Sequence, residues 1–171
     1  MSSKVLSKSE QLKNDQELIE SSGVTWPESA KVTPMMRQWL KAKKQSPSSI
    51  LLFRMGDFYE LFGDDAERAA PILELTLTSR DKGKNNFPMA GFPHHAAPSY
   101  ISKLIEAGHK VALCDQLEDP ALAKGIVKRD ITRIVTPGLV LEDETLTAGN
   151  NNYLMALWGC SEQIGVSALD L

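Results

Sequence analysis

The most constraining feature of the sequence is an apolar run followed by a two-residue turn signal and a second short segment. Ile50-Leu51-Leu52-Phe53 is continuously apolar, which predicts a buried strand. Gly56-Asp57 predicts a turn, because glycine accepts positive φ and aspartate can bond its own backbone. Residues 58–62 then predict a second strand, on which alternate side chains share a face. Phe58 and Glu60 would therefore point the same way, with an aromatic ring beside a carboxylate.

This ring and carboxylate have two interpretations. Alternating side chains over residues 58–62 are typical of an ordinary half-buried hairpin strand, and the local pattern alone favours that interpretation. In the other, Phe58 is exposed and wedges between flat apolar groups, while Glu60 hydrogen-bonds whatever the ring has displaced. The residues of the hairpin do not decide between the two.

Helix signals flank the hairpin on both sides. Threonine followed by proline is typical of a helix start, and a proline inside a helix predicts a kink or an early end, as at Pro71. The predicted helices start at Thr33-Pro34, Asp64-Asp65, Pro98 and Asp119-Pro120, and they end before Ser46-Pro47, near Leu73, at Gly108 and near Gly125, respectively.

Further strands are predicted at residues 75–78, 87–93, 111–116 and 131–135, where apolar residues alternate or form short runs. Together with the hairpin they predict a mixed α/β fold, in which a central β-sheet of about five or six strands is flanked by helices. Residues 79–86 form a polar, basic loop between two of these strands.

Composition and charge exclude several classes of protein. No apolar run approaches the ~20 residues that span a bilayer, and the N-terminus lacks a secretory signal, so neither a membrane protein nor a secreted one is predicted. Cys114 and Cys160 lie far apart without metal-ligand spacing, which is typical of reduced cysteines in a cytosolic protein. Residues 33–140 carry 15 basic and 12 acidic side chains, so any binding of nucleic acid depends little on net charge.

Three stretches of sequence, taken together, resemble one known family. They are residues 54–62 (Arg-Met-Gly-Asp-Phe-Tyr-Glu-Leu-Phe), residues 88–96 (Pro-Met-Ala-Gly-Phe-Pro-His-His-Ala) and Thr136-Pro137-Gly138. The combination resembles the mismatch-recognition domain, domain I, of the DNA mismatch repair family MutS, and the resemblance extends from Val32 to the end of the chain. In that family a Phe-x-Glu element inserts its phenylalanine beside a mispaired base and hydrogen-bonds that base through the glutamate.

The resemblance implies a set of DNA-binding residues. Phe58 would be the wedge and Glu60 the hydrogen-bonding carboxylate. Four neighbours, Arg54, Met55, Asp57 and Tyr59, would shape the hairpin or contact the DNA backbone, and Arg80, Met89 and Phe92 would lie near the minor groove. Arg80 and the two lysines of the basic loop are candidates for phosphate contact.

The resemblance also implies a domain organisation. Residues 1–31, polar and without a strong apolar face, are predicted to be a disordered or loosely helical leader. Residues 32–140 would be the mismatch-recognition domain, residues 141–152 a linker, and residues 153–171 the truncated start of the connector domain. The chain has no phosphate-binding glycine-rich loop, so we expect no enzyme activity and no cofactor in it.

The resemblance gives the full-length protein further properties. It would be a cytoplasmic, nucleoid-associated bacterial homodimer that binds mismatched double-stranded DNA, uses ATP and Mg in a C-terminal domain absent from this chain, and recruits a MutL-type partner.

Two other function classes stay open. One is a metal-dependent phosphodiesterase built on Asp57, Glu60 and either His94 or His95, although adjacent histidines on an extended chain point apart and chelate poorly. The other is a protein-interaction domain of a repair complex, which predicts equal affinity for mispaired and matched DNA.

Overall fold

A computed structural model of the chain describes residues 7–27, 30–79, 87–123, 125–137, 153–159, 161 and 163–170. The helices are α1 (Lys8–Ser22), α2 (Pro34–Gln45), α3 (Asp64–Leu73) and α4 (Ala97–Glu106), and a 3₁₀ turn spans His94–Ala96. The strands are β1 (Ile50–Met55), β2 (Phe58–Phe62), β3 (Thr78–Ser79), β4 (Pro88–Pro93), β5 (Val111–Gln116), β6 (Arg129–Val135), β7 (Tyr153–Gly159) and β8 (Ile164–Asp170).

The first six strands form one mixed sheet in the order β3-β4-β2-β1-β5-β6. β1 pairs with β2 as an antiparallel hairpin and with β5 in parallel, and the other neighbouring strands are antiparallel. The predicted hairpin therefore lies at the centre of the sheet. The prediction of a mixed α/β fold with a central sheet is confirmed.

Helices cover both faces of β1, which explains its continuous apolar run. Ile50 and Leu52 pack into a core with side chains of α3 and α4. Leu51 and Phe53 point to the opposite face and pack into a second core with side chains of α2. We call these two faces of the sheet the α3/α4 face and the α2 face.

A buried ion pair joins α2 to the start of α3. Lys43 Nζ lies 2.7 Å from Asp65 Oδ2 and donates to the Ser49 carbonyl oxygen at 2.6 Å. The same carboxylate accepts from the Leu51 amide at 3.1 Å and from Arg68 at 2.6 Å. Because every oxygen of Asp65 has a donor, its charge is satisfied inside the protein.

This network corrects the prediction that Asp64-Asp65 cap α3. The N-cap residue is Gly63, and no side chain caps the helix. Asp65 is instead the buried partner of Lys43, while the helix continues past Pro71 and ends at Leu73, as predicted.

Of the two alternatives for the N-terminal segment, a disordered or a loosely helical leader, residues 8–22 adopt the helical one. Residues Lys8–Ser22 form α1, which starts with a capping box between Ser7 and Glu10. The helix docks on α2 through a two-bond ion pair, in which Arg37 Nε and Nη2 donate to Asp15 at 2.6 and 2.8 Å. This tertiary contact stabilises α1, whose weak apolar face would stabilise it little by itself.

Two further predictions about local structure were wrong. The strand predicted at residues 75–78 is reduced to the two-residue β3 at Thr78–Ser79. Asp119-Pro120 do not start a helix; the described part of residues 119–125 contains turns, in which the Asp119 carboxylate accepts from the Ala121 amide at 2.9 Å.

The last described strands, β7 and β8, form an antiparallel hairpin of their own. The predicted linker at residues 141–152 lies outside the described residues, as does Cys160. Cys114 is buried in β5, and burial raises the pKa of its thiol to about 12.

Lys43→Met should lower the free energy of unfolding of this chain by roughly 3 kcal/mol, because it leaves the buried Asp65 carboxylate without its ammonium partner. Urea denaturation at neutral pH measures the difference. Lys44→Met is the matched control, since Lys44 is the exposed neighbour on the same helix. Equal unfolding midpoints for the two variants would contradict a structural role for the pair.

Asp15→Asn should destabilise the chain by about 1 kcal/mol at neutral pH, because it removes an ion pair between α1 and α2. Hydrogen bonds from Arg37 hold the pKa of the Asp15 carboxyl below its ordinary value of 3.8. The stabilisation is therefore complete above that value and is lost as the pH falls through the lowered pKa.

Urea denaturation from neutral pH down to about pH 3 would follow this loss for the wild type and Asp15→Asn. The gap in stability between the two should close on acidification. Glu17→Gln, an exposed change on the same helix, is the control. A gap that stays constant over the whole range would rule out the ion pair as its source.

Candidate nucleic-acid interface

The β1–β2 hairpin closes through a two-residue turn. Met55 and Phe58 form the last cross-strand pair, and Gly56 adopts φ 57° between them. Positive φ at the first turn position alone is typical of a type II′ turn, which glycine enters without crowding. The turn makes Phe58 the first residue of β2.

Phe58 is the one exposed phenylalanine of the chain. Its side chain is 46% exposed, whereas the other four phenylalanines are buried. Its cross-strand neighbours are Met55 on β1 and Pro93 on β4, both partly buried. The ring is thus displayed from the middle of a sheet rather than from a loose loop.

The exposure of Phe58 follows from where the helical cover ends. Phe62 points to the same face of β2 but is fully buried, and its ring lies 5.7 Å from that of Trp39 on α2. The cover provided by α2 therefore ends between Phe62 and Phe58.

Glu60 lies between these two rings on the α2 face. Its cross-strand neighbours are Phe53 on β1 and Gly91 on β4. A Cβ atom at Gly91 would lie 3.0 Å from the Tyr59 carbonyl oxygen and 3.5 Å from Glu60 Cγ. The absence of a side chain at Gly91 leaves one flank of the Glu60 side chain open.

Arg129 of β6 lies on the same face of the sheet as Glu60. Its guanidinium carbon lies 5.2 Å from the centroid of the Phe53 ring, and its Nε donates to the Arg54 carbonyl oxygen at 2.6 Å. Burial lowers the pKa of the Arg129 guanidinium, while the charge of Glu60 acts in the opposite direction. The carboxylate and the guanidinium therefore interact electrostatically on this face.

A second contact holds the turn from the β4 side. The backbone amide of His94 donates to the Asp57 carbonyl oxygen at 2.8 Å. The His94 ring nitrogen Nδ1 lies 3.2 Å from the same oxygen. The tip of the hairpin is thus attached to the 3₁₀ turn after β4 on one side and to β6 on the other.

We call the exposed end of the α2 face the Phe58 surface, and it consists of Met55, Phe58, Glu60, Gly91 and Pro93. It combines one exposed ring, one carboxylate and, beside the carboxylate on β4, a glycine without a side chain. Such a surface can insert a ring into a stack of flat groups and hydrogen-bond a group beside it.

The other face of the hairpin is anchored in the protein. The Tyr59 hydroxyl donates to Asp115 Oδ1 at 2.5 Å, and Thr132 donates to the other oxygen of that carboxylate. Burial and the neighbouring carboxylate raise the pKa of Tyr59, so its hydroxyl stays protonated. The Arg54 guanidinium lies over the Tyr59 ring, 5.7 Å from its centroid.

Comparison with known proteins identifies the family. The family model for MutS domain I matches residues 33–144. Curated relatives named DNA mismatch repair protein MutS are 53% identical over 142 residues in Desulforapulum autotrophicum, 55% over 144 residues in Symbiobacterium thermophilum and 52% over 143 residues in Brevibacillus brevis. The chain belongs to the MutS family. The matches cover 82–83% of this chain but only 16–17% of each relative, so the chain spans about one-sixth of their length.

The structure brings together three of the residues predicted from the MutS resemblance. Met55, Phe58 and Glu60 share the α2 face at the end of the hairpin, and Asp57 is exposed in the turn beside them. Arg54 points to the opposite face, where its Nε donates to the Gly56 carbonyl oxygen at 2.5 Å. This bond ties the Arg54 side chain to the backbone of the turn.

Three further predicted residues of the MutS site, Tyr59, Phe92 and Met89, lie away from this surface. Tyr59 and Phe92 are buried on the α3/α4 face, and the Phe92 ring stacks on Tyr100 at a centroid distance of 4.2 Å. Met89 is partly buried against the core of the α2 face. Arg80 and the rest of the basic loop lie outside the described residues.

Three residues that the sequence did not single out as site residues belong to this MutS domain's candidate interface. Gly91 and Pro93 lie within the stretch that carried the resemblance. The register of β4 against β2 puts Gly91 opposite Glu60 and Pro93 opposite Phe58. Arg129 is distant in sequence from the hairpin and gave no local signal. Only the pairing of β6 with β5 shows that it reaches the hairpin.

The metal-dependent alternative receives no support from the geometry. Within the described residues, no three His, Cys, Asp or Glu side chains are arranged to hold a metal ion. The His94 and His95 ring centroids lie 6.1 Å apart in an edge arrangement.

Among the described residues, no helix is long and apolar enough to cross a membrane.

Proposed function

We propose that this chain detects mispaired or looped bases in duplex DNA, as the N-terminal part of a DNA mismatch repair protein of the MutS family. The observation that carries the proposal is the exposed Phe58 ring beside Glu60, on a hairpin held at both flanks. Phe58 inserts as a wedge, and Glu60 hydrogen-bonds the displaced base.

The physical basis is the deformability of the DNA. A mispaired step is easier to unstack and kink than a paired one, so a wedge meets a smaller energetic barrier there. The wedge reads this difference without identifying a base sequence. Stacking a base on an aromatic side chain contributes about 1–3 kcal/mol, which is enough to select such sites.

In this proposal the chain itself is a recognition module and not an enzyme. The full-length protein would be a homodimer in which one subunit inserts its wedge, and ATP and Mg would bind in a C-terminal domain that is not part of this chain. A MutL-type protein would be the downstream partner.

The charge of the chain fits a recognition role within a larger protein. The formal net charge is −3 at neutral pH, so this part supplies little of the phosphate attraction that dominates DNA affinity. Other parts of the full-length protein would hold the duplex, and the Phe58 surface would detect steps at which base stacking is weakened.

Phe58→Ala in the full-length protein should reduce affinity for mispaired duplex by about 5- to 150-fold, because the stacking contribution of the ring is lost. Affinity for matched duplex should change little. Leu77→Ala is the matched control, since Leu77 and Phe58 are both 46% exposed. Fluorescence anisotropy with mispaired and matched duplexes, at one fixed salt concentration, measures both affinities.

Thermal melting of this chain completes the Phe58 test. An exposed ring should leave the melting temperature nearly unchanged, whereas a core ring such as Phe62 would lower the free energy of unfolding by about 3–5 kcal/mol on truncation. A Phe58→Ala chain that unfolds, or a full-length variant that keeps its mismatch preference, would refute the wedge.

Glu60→Gln should tighten binding to matched duplex, because it removes a negative charge that faces the phosphates. Affinity for mispaired duplex should change less, since the amide still hydrogen-bonds a displaced base. We expect the affinity for mispaired duplex divided by that for matched duplex to fall roughly fivefold, about 1 kcal/mol. This differs from Phe58→Ala, which loses binding to the mispair itself.

The control for Glu60→Gln is Asp57→Asn, which removes a carboxylate from the adjacent turn. Asp57→Asn should shift both affinities alike, because its side chain lies outside the Phe58 surface. Identical matched-duplex affinities for wild type and Glu60→Gln would show that this carboxylate does not discriminate.

A further inference from the structure

The strand register leaves the tip of the hairpin without support from β5. The last pair between β1 and β5 is Phe53 with Cys114, and β1 continues for two more residues, Arg54 and Met55. Beyond that pair β5 is hydrogen-bonded to β6 but not to β1. The end of β1 that leads into the turn would therefore have unpaired backbone groups on this side.

Arg129 supplies the missing connection. It is the first residue of β6, and its Nε donates to the Arg54 carbonyl oxygen at 2.6 Å, across the end of β5. Its Nη1 donates to the Val127 carbonyl oxygen at 2.9 Å and to Gln38 Oε1 at 3.4 Å. One side chain thus links β6, α2 and the hairpin at the point where strand pairing stops.

The geometry of this link requires a guanidinium. Two of its nitrogens donate in fixed directions while its plane lies over the Phe53 ring, 5.2 Å from the centroid. Phe53 is the cross-strand partner of Glu60, so the guanidinium and the carboxylate lie on the same face of the sheet. Lysine has one rotating ammonium and no plane, so it keeps the charge but not this arrangement.

We propose that Arg129 is a positioning residue for mismatch discrimination, which orients Glu60 and fixes the hairpin that displays Phe58. The inference rests on the proposed function of the Phe58 surface. Arg129 acts through the hairpin backbone and the Glu60 charge, and it makes no contact with DNA.

Two physical effects give Arg129 this role. Phe58 can transmit strain to the DNA only if the hairpin that carries it is held firmly. The hydrogen bond from Arg129 to the Arg54 carbonyl oxygen holds that hairpin. The Arg129 charge also offsets part of the repulsion between Glu60 and the phosphates. Loss of the first effect weakens the response to a mispair, while matched duplex, which never accepts the wedge, binds as before.

The test uses Arg129→Lys in the full-length protein, with affinities for mispaired and matched duplex measured by fluorescence anisotropy. The expected result is a loss of at least fivefold in mispair affinity, about 1 kcal/mol, with matched affinity and its salt dependence unchanged. Arg133→Lys, on the exposed part of the same strand, is the matched control and should change neither affinity.

Each alternative role of Arg129 predicts a different result. A phosphate contact would survive Arg129→Lys, while Arg129→Gln would lower both affinities and reduce the salt slope by about one. A purely structural role would lower the melting temperature and reduce both affinities together. Either pattern would overturn the proposal.

A double-mutant cycle tests whether Arg129 acts through Glu60. In a Glu60→Gln background, Arg129→Lys should cause a smaller loss of mismatch preference than in the wild type. Purely additive effects would contradict coupling. If Arg129→Lys does not fold, Gln38→Leu removes one acceptor of the same guanidinium, and an unchanged mismatch preference in that variant would overturn the proposal.

The outcome also separates this proposal from the proposed function. If Phe58→Ala and Glu60→Gln leave the mismatch preference intact, the function assigned to the surface fails. If those two variants lose the preference and Arg129→Lys retains it, only the positioning role of Arg129 fails.

Discussion

The burial of β1 on both faces is the constraint on which the site depends. Each side chain from Ile50 to Phe53 must lie in one of two cores, so helices have to cover both faces of this strand. The parallel partner β5 is also needed along this length and stops pairing at Phe53. The hairpin continues beyond the point where the helices and the parallel strand β5 end, and its side chains there become available for binding.

Three aromatic rings show how sharply this boundary acts. Phe58 and Phe62 share a strand and a face, yet one is half-exposed and the other lies beneath Trp39. Tyr59, on the reverse face between them, is held by a hydrogen bond to Asp115. The buried neighbours fix the backbone on which Phe58 stands, so a core that has no contact with a ligand still determines how rigid the exposed ring is.

The local signals in the sequence were sufficient where one segment determines its own structure. Thr33 caps α2, Gly56 closes the turn, and the alternation over residues 58–62 correctly separates Phe58 and Glu60 from Tyr59. The local signals did not predict structure that depends on a residue distant in the sequence. Residues 8–22 became a docked helix through the bond between Asp15 and Arg37, which no local pattern reveals. The role of Arg129 was hidden for the same reason, since 75 positions separate it from the carbonyl oxygen of Arg54.

The same physics explains how a carboxylate could lie beside the proposed wedge on a surface that would face DNA. A lone glutamate there would meet the field of the phosphates without compensation, and binding would weaken for every duplex. Glu60 instead shares its face of the sheet with the Arg129 guanidinium and has a glycine, without a side chain, as its neighbour on β4. The charge is partly balanced within the protein, while the open flank leaves room for a displaced base. In the proposed function, discrimination would depend on whether a displaced base reaches the carboxylate, which would happen only where the base stack has already opened.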